Sequence, residues 1–322
     1  MKNLDINKFQ CPLDGYNLKI DTSINKIFCT NKSCKVDFQI YSSGKEKIPC
    51  LIDDKNFDTV FNSSFLNCKR IFKKKKSKLT LIISHVKNYI YNLSNKQYLP
   101  PYKEIAKKEI KFLIKKNKKD CLIVGSGNRE LPLSISNKHL NIMGCDIYPG
   151  EKVDFIADAH YLPIKNKSIS FIFLQAVLEH VLEPQKVVDE CFRVLSDGGL
   201  IISEAPFLQG IHENGYDFFR FSPSAHAFLF RNFHIKSYGP LMGVLLTFFW
   251  TLRGLASKYL GIKVSKLIFF PLITFFNRPT NKNIKANWDY CNSSYVVAIK
   301  DNNKKKGYYH KKAIKLYEPK EI

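Results

Sequence analysis

The regular alternation of short apolar runs and helix-compatible segments in residues 119–240 constrains the fold of this chain more than any other feature. The apolar runs predict strands at 121–126, 141–147, 153–158, 168–174 and 199–206. A helix is predicted at 184–195, and the Asp197-Gly198-Gly199 turn is expected to end it. Nearly continuous apolar strands between helices are typical of a parallel sheet that is covered on both faces. The sequence therefore predicts an α/β fold.

Two further strands and an insertion complete the predicted sheet. Residues 233–239 and 294–300 have the composition of strands, which brings the expected number of strands to seven. The stretch between them is too long for a plain loop in a compact domain. It holds two apolar blocks, at 241–252 and 267–276, so we predict a helical insertion over residues 241–290.

Three of the predicted strands end in groups that suit a ligand. The first strand runs into Gly125-Ser126-Gly127, and glycines at a strand-to-helix turn let a ligand approach the backbone beside a helix N-terminus. The second ends in Asp146, close to the ~20-residue offset at which an acidic side chain binds ribose hydroxyls. The third ends in Asp158. Parallel strand ends open into one crevice, so these groups are expected to lie together. The alternative for each aspartate is a structural role as a helix N-cap.

A continuous segment within this region carries a family resemblance. It reads GCDIYPGEKVDFIADAHYLPIKNKSISFIFLQAVLEHVLEPQKVVDECFRVLSDGGLIISEAPF. The segment resembles the core of class I methyltransferases of type 11, the ubiquinone/menaquinone-methyltransferase-like group, over about residues 119–240. The resemblance implies a Rossmann-like, mostly parallel sheet of seven strands and an enzyme that uses S-adenosylmethionine as its cofactor.

The resemblance also implies roles for residues at the strand ends. The glycines of the first turn would lie against the methionine and ribose part of the cofactor, and Asp146 would bind the ribose hydroxyls. Asp158 and Ala159 would contact the adenine, and Gln175 would face the methionine moiety. The implied cofactor-binding set is Gly125, Ser126, Gly127, Asp146, Ile147, Asp158, Ala159 and Gln175. The family's third glycine is replaced near Arg129, which also argues against a dinucleotide-binding loop.

Candidate groups for the chemistry follow the fourth and fifth strands. Methyl transfer needs an aligned nucleophile and exclusion of water, and it needs a base only when the acceptor is a protonated hydroxyl or amine. The candidate catalytic residues are His180, His212, Asp217 and Arg220, with Glu213 beside them in the sequence. As alternatives, His180 packs as a structural histidine at a helix start, and Asp217 simply pairs with Arg220 across one turn.

The segment PFLQGIHENGYDFFRFS resembles a signature of methyltransferases that are encoded among bacterial surface-polysaccharide genes. This resemblance implies a small-molecule, glycan or lipid-linked sugar acceptor. The formal net charge of +23 favours an anionic partner, although a background composition rich in lysine is the alternative explanation.

Neither apolar block of the insertion is long enough to cross a bilayer. The basic residues between the blocks, Arg253, Lys258, Lys263 and Lys266, suit anionic head groups. The insertion is thus expected to be a hydrophobic lid that rests on a membrane, or a pair of buried helices.

The N-terminal region carries four candidate metal ligands, Cys11, Asp14, Cys29 and Cys34. Pairs of close thiolates joined by a longer loop suit tetrahedral zinc, and the region resembles a small zinc ribbon that is attached to, or partners, methyltransferases. It departs from that pattern because an aspartate replaces the second cysteine of the first pair, and four residues separate the second pair. The alternative is a metal-free fold held together by apolar residues. Cys50, in the apolar IPCLI, is expected in the core.

These observations predict three parts: a zinc-ribbon-like segment at 1–55, a basic helical linker at 56–118 and the methyltransferase domain at 119–322. The odd number of cysteines, nine, and the polar N-terminus predict a cytoplasmic protein, peripheral to the inner face of the membrane. The alternative functions are an rRNA or tRNA methyltransferase, which the basic charge fits, and a membrane-peripheral scaffold without activity. Against the first, no Asn-Pro-Pro-aromatic motif follows the fourth strand.

Overall fold

A computed structural model describes residues 5–43, 46–53, 55–57, 59, 61, 101–127, 131–132, 135–212, 216–275, 284–301 and 316–317. A small antiparallel sheet opens the chain, with strands in the order β1-β2-β3-β4. Its strands are β1 (Leu18–Asp21), β2 (Lys26–Cys29), β3 (Asp37–Ser43) and β4 (Glu46–Pro49). The predicted β-rich N-terminal ribbon is therefore present.

The larger sheet has seven strands in the order β10-β11-β9-β8-β5-β6-β7. The strands are β5 (Asp120–Val124), β6 (Asn141–Asp146), β7 (Phe155–Ile156), β8 (Ile169–Gln175), β9 (Leu195–Pro206), β10 (His234–Met242) and β11 (Ser293–Ile299). β5 pairs in parallel with both β6 and β8, and β7 and β9 extend the parallel part outward. β11 is antiparallel to β9 and to β10. The seven-stranded, mostly parallel sheet predicted from the sequence is confirmed.

Helices cover both faces of this sheet, as predicted. On one face lies α1 (Lys103–Lys115), which buries Ala106, Ile110 and Leu113 in the same apolar cluster as β5 and β8. On the other face lie α2 (Pro184–Val194) and α3 (Pro223–Leu229). Burial of the central strands on both sides explains their unbroken apolar sequences. The basic run KRIFKKKKSK of the predicted linker lies outside the described residues, and the predicted division of the chain stays a prediction.

Two predicted boundaries differ from the structure. The strand expected at 153–158 is limited to β7, which pairs with only the last two residues of β6. The helix expected to end at the glycine turn stops at Val194, and β9 begins at once with Leu195. Leu195 is fully buried and pairs with Ile169, so tertiary pairing extends the strand through the turn sequence.

The N-terminal ribbon packs against the edge strand β7. Cys50 forms a parallel bridge with Ile156, and the Leu51 N–H donates to the Ile156 carbonyl at 2.8 Å. The rings of Phe9 and Phe155 meet edge to face with their centroids 5.0 Å apart. Cys50 is buried among apolar side chains, as expected. The ribbon thus covers a sheet edge that would otherwise expose unpaired backbone groups.

The insertion between β10 and β11 is helical, as predicted. It contains α4 (Val244–Phe275) and α5 (Ile284–Tyr290). α4 breaks at Gly261, whose φ of 74° and ψ of 157° lie outside the helical region. The start of α4 is tied to α5, since the Val244 N–H donates to Asn287 Oδ1 at 3.2 Å. Within the described residues, no helix has the length and apolar character needed to cross a membrane.

Candidate active site

A cavity of about 390 Å³ opens where the carboxyl ends of β5, β6 and β8 meet. The chain leaves β5 for a neighbour on one side and later returns to pair with it on the other, and this switch point is where open parallel sheets bind ligands. The volume falls in the range of small-molecule sites. Of the predicted site residues, the cavity wall contains Gly125, Gly127, Asp146, Ile147, Asp158, Ala159 and His180.

The turn after β5 brings backbone to the cavity wall. Gly125 has a φ of +69°, and a Cβ atom there would lie 2.3 Å from Cγ2 of Val177. Both the conformation and the close approach therefore require glycine. Ser126, by contrast, is fully buried, packs against Gly144 and does not form part of the wall.

Asp146 connects the ends of β5 and β6. Its Oδ2 accepts the Gly127 N–H at 2.9 Å, and its Oδ1 accepts the Tyr148 N–H at 3.1 Å. Asp146 also lines the cavity, where a carboxylate can accept hydrogen bonds from a ligand's hydroxyl groups. Asp146 can therefore order the glycine turn and face the cavity at the same time.

Asp158 has both of the roles considered for it. It caps the short 3-10 turn Ala159–Tyr161 by accepting the His160 N–H, and it also lines the cavity. Its other oxygen accepts the hydroxyl of Thr59. Burial alone would raise the pKa of Asp158, but the hydrogen bonds from His160 and Thr59 hold it below its ordinary value. No sequence pattern indicated Thr59, because it approaches from the distant N-terminal region.

Gln175 lies beside the cavity and not in its wall. Its Nε2 donates to Glu204 Oε2 at 2.5 Å, and Tyr102 donates its hydroxyl to the other oxygen of the same carboxylate. Glu204 and Tyr102 are both buried, so this polar group joins α1 to the ends of β8 and β9. The contact of Gln175 with the methionine moiety stays a prediction.

A cluster of two imidazoles and a carboxylate meets the cavity on the side of β8. We call Glu179, His180 and His212 the histidine cluster. The Nε2 atoms of the two histidines are 3.1 Å apart, and Glu179 Oε1 lies 3.6 Å from the first and 3.5 Å from the second. His180 Nδ1 is 2.6 Å from the carbonyl oxygen of Tyr216. His180 and Tyr216 line the cavity, and Glu179 is fully buried behind them.

Asp217 and Arg220 organise the loop that carries His212. Asp217 accepts the His212 N–H at 2.6 Å and pairs with Arg220, which also donates to the carbonyls of Gln209 and Gly210. Burial would raise the pKa of Asp217, but its bonds with Arg220 and His212 lower it below the ordinary value. Their mutual pairing was the alternative interpretation of these two residues, and neither lines the cavity. Glu213 lies outside the described residues.

The four predicted zinc ligands converge, and we call Cys11, Asp14, Cys29 and Cys34 the cysteine cluster. Its ligand atoms all lie within 4.8 Å of one another. The sulfurs of Cys11 and Cys34 are 3.9 Å apart, and Cys29 Sγ is 3.4 Å from Asp14 Oδ1. Tetrahedral zinc with Zn–S bonds of about 2.3 Å separates two sulfurs by about 3.8 Å, so the donor set fits the ion. Burial raises the pKa of the Cys11 and Cys29 thiols, and a bound zinc would have to displace their protons.

The comparison with known families agrees with this geometry. Residues 122–203, from β5 into β9, match the family described as methyltransferase domain. The chain thus contains a methyltransferase domain of the class I type, and its cofactor is S-adenosylmethionine. The predicted resemblance is confirmed. Among curated protein sequences, none matches the chain significantly.

Solved structures with similar folds include proteins of several kinds. The [4+2]-cyclase SpnF is 16% identical, with 62% of this chain and 80% of that chain covered and a TM-score of 0.39. The phosphoethanolamine N-methyltransferase 2 of Haemonchus contortus, solved with S-adenosyl-L-methionine, is 12% identical over 61% of this chain and 53% of its own, with a TM-score of 0.37. The YcgJ protein of Bacillus subtilis is 16% identical over 61% and 99%, with a TM-score of 0.37.

Replacement of Asp146 tests the cofactor side of the cavity. Losing a charge-assisted hydrogen bond costs on the order of 1.5–3 kcal/mol, so Asp146→Ala should weaken S-adenosylmethionine binding about tenfold or more. Titration calorimetry measures the affinity, and thermal unfolding verifies that the variant is folded. An unchanged affinity in the folded variant would remove Asp146 from the site. Glu151→Ala, close by in the sequence and exposed, is the matched control and should bind the cofactor normally.

Metal analysis tests the cysteine cluster. We expect protein purified without chelator to contain about one more zinc per chain than a Cys29→Ser/Cys34→Ser variant. Cys50→Ala, which removes a thiol outside the cluster, should leave the zinc content unchanged. Equal zinc contents in the wild type and the double variant would show that the ribbon holds no metal there.

Proposed function

We propose that the chain transfers a methyl group from S-adenosylmethionine to a hydroxyl of a glycan or lipid-linked sugar. The observation that carries the proposal is that His180 lines the same cavity as the predicted cofactor-binding residues, with the rest of the histidine cluster next to it. A group able to take a proton thus lies beside the place where a methyl donor would bind. The methyltransferase class itself follows from the family match, and the acceptor is the proposed part.

Different predicted cofactor-binding residues would contact different parts of the methyl donor. When bound, S-adenosylmethionine supplies a methyl group already activated by the positive charge of its sulfur. The backbone at Gly125 and Gly127 would let the donor approach closely, and Asp146 would take its ribose hydroxyls. Asp158 and Ala159 would hold the adenine. These residues bind and orient the donor, so the chemistry depends on how the acceptor is presented.

The histidine cluster would activate the acceptor hydroxyl. The Tyr216 carbonyl can only accept a hydrogen bond, so His180 Nδ1 carries a proton, and in the neutral ring Nε2 would present a lone pair. The acceptor oxygen would take the methyl group while its proton passes to the cluster. Asp217 holds the backbone of His212 and would keep the second imidazole in place. Asp217 and Arg220 would therefore act on the reaction by positioning the loop.

The surface around His212 supports a sugar as the acceptor. Aromatic and aliphatic side chains stand exposed on the same loop: Ile211, Tyr216, Phe218 and Phe219. Apolar groups around a few convergent polar groups suit a ligand that has both apolar faces and hydroxyl groups. Sugars have both.

Substitution of the imidazole tests this role. A general base contributes roughly 10²–10⁴-fold, so His180→Asn should lower the rate of methyl transfer by about that factor and leave cofactor affinity nearly unchanged. The measurement is transfer of labelled methyl groups from S-adenosylmethionine into glycan and glycolipid extracts of cells lacking the gene. His139→Asn, an exposed histidine outside the cavity, is the matched control.

Two outcomes would contradict the proposed acceptor. Label recovered in RNA and not in envelope glycans would favour an rRNA or tRNA methyltransferase. An unchanged composition of methylated envelope sugars in cells without the gene would remove glycans as the substrate.

We also propose that α4 rests on an anionic membrane, where a lipid-linked acceptor would be found. Several of its large apolar side chains are exposed: Phe248, Leu255, Tyr259 and Ile262. Residues 244–275 include no acidic residue, and they include Arg253 and Lys258. An apolar surface with basic residues beside it suits the boundary between acyl chains and anionic head groups. The side chains of Lys263 and Lys266 lie outside the described ones.

Flotation with anionic liposomes tests this contact. At low salt the wild-type chain should float with the liposomes, and Leu255→Ser/Tyr259→Ser/Ile262→Ser should remain mostly in the soluble fraction, because the variant loses exposed apolar area that lipid would cover. Ile24→Ser/Ile142→Ser, which changes exposed apolar residues outside α4, should float like the wild type. Wild-type protein that stays soluble would eliminate the membrane contact and leave the methyltransferase assignment intact.

A further inference from the structure

The three side chains of the histidine cluster present their ligand atoms to one point. We infer that Glu179, His180 and His212 bind a divalent metal ion of the zinc type at the wall of the cofactor cavity. The three atoms are separated by 3.1, 3.5 and 3.6 Å. These are two imidazole nitrogens and one carboxylate oxygen, a donor set that suits zinc and its neighbours among the divalent transition metals.

The spacing of the three atoms matches tetrahedral coordination. With bonds of about 2.0–2.1 Å, two ligands of a tetrahedral ion lie about 3.3 Å apart, close to the mean of the three separations. An ion at that bond length from all three atoms would sit slightly outside their plane. This geometry leaves a fourth position open, as in metal sites that bind a substrate or water.

The surroundings of the far nitrogen of each ring support metal binding. A histidine that ligates a metal usually donates its other ring N–H to a carbonyl or a carboxylate, which fixes its tautomer and orientation. His180 has this arrangement, since its Nδ1 lies 2.6 Å from the Tyr216 carbonyl oxygen. A carboxylate stands on the corresponding side of His212, whose Nδ1 lies 3.4 Å from Asp217 Oδ2. The two Nε2 atoms lie next to each other and to Glu179.

The protein environment also favours an ion at this point. The Glu179 carboxylate is fully buried, and a buried anion is stable only with positive charge close by. Two imidazole lone pairs at 3.1 Å repel each other unless a proton or a cation lies between them. A divalent ion would satisfy the carboxylate and both rings at once.

The open position has a consequence for the acceptor, and this step rests on the proposed function. His180 lines the cavity, so the ion would face the space next to the donor's site. It would bind an oxygen of the acceptor and lower the pKa of a hydroxyl there. Because both Nε2 atoms would then be ligands, the hydroxyl proton would leave to solvent water instead of passing to the imidazoles, before the oxygen takes the methyl group. The acceptor class is then one that presents a hydroxyl or carboxylate oxygen, which sugars do and simple amines do not.

Metal content in the full-length chain tests the inference. Zn²⁺ is the probe, and the wild type should bind about one more ion per chain than Glu179→Gln or His212→Asn, whatever the cysteine cluster holds. His139→Asn is the matched control and should equal the wild type. Because a variant can lose metal by failing to fold, thermal unfolding accompanies each one. X-ray absorption of the zinc-loaded wild type, which needs no variant, should show imidazole nitrogen ligands, which the cysteine cluster cannot supply.

Equal zinc contents in the wild type and in folded Glu179→Gln would overturn the metal site. So would a wild-type absorption spectrum with only the ligands of the cysteine cluster. Methyl transfer that survives complete chelation would overturn the ion's role and leave the proposed function standing. A metal-binding cluster in a protein that methylates no glycan would leave the site standing and remove the proposed acceptor.

Discussion

The parallel pairing of β5 with β6 on one side and β8 on the other is the constraint on which the rest of the structure depends. The segments that follow these strands are forced apart, and the gap between them is the cavity. The turn after β5 has to cross close to the segment after β8, and only glycine at position 125 allows the contact with Val177. The Asp146 carboxylate then holds the turn by its bond to the Gly127 N–H. The sheet's connectivity thus creates the site, and a few polar contacts keep it open.

The N-terminal ribbon is part of this arrangement and not an independent appendage. Its apolar residues share a core with the sheet, and its chain adds a parallel bridge to β7 through Cys50. From there the chain continues to Thr59, whose hydroxyl reaches Asp158 at the cavity. Phe57 stacks on Tyr161 at the same end, with the ring centroids 3.8 Å apart. Packed and hydrogen-bonded contacts thus connect the ribbon to the predicted adenine end of the site.

The sequence predicted most of the sheet, because buried parallel strands need unbroken apolar runs. The predicted strand ends were wrong where strand pairing, and not composition, determines them, as at β7 and at the early start of β9. The cavity wall contains six of the eight predicted cofactor-binding residues, since strand ends can be located from the same runs. Thr59, Glu179 and Tyr216 were missed as site residues. Thr59 is remote in sequence. Glu179 and Tyr216 stand next to noted residues, but only the fold shows that one is buried behind the histidines and that the carbonyl of the other fixes a tautomer.

The charge balance at Glu179 limits what the histidine cluster can do. Arg220 interacts electrostatically with Glu179, but its guanidinium is engaged mainly with Asp217. A proton or an ion held between His180 and His212 would add positive charge near Glu179, whose Oε1 lies 3.6 and 3.5 Å from their Nε2 atoms. If that charge is a proton shared by the imidazoles, the cluster is already protonated and a weaker base for the acceptor. If it is a metal ion, the rings stay neutral as ligands, and the acceptor's proton would leave to solvent water. The burial of the Glu179 carboxylate thus links the charge balance of the folded protein to the way in which the acceptor would lose its proton.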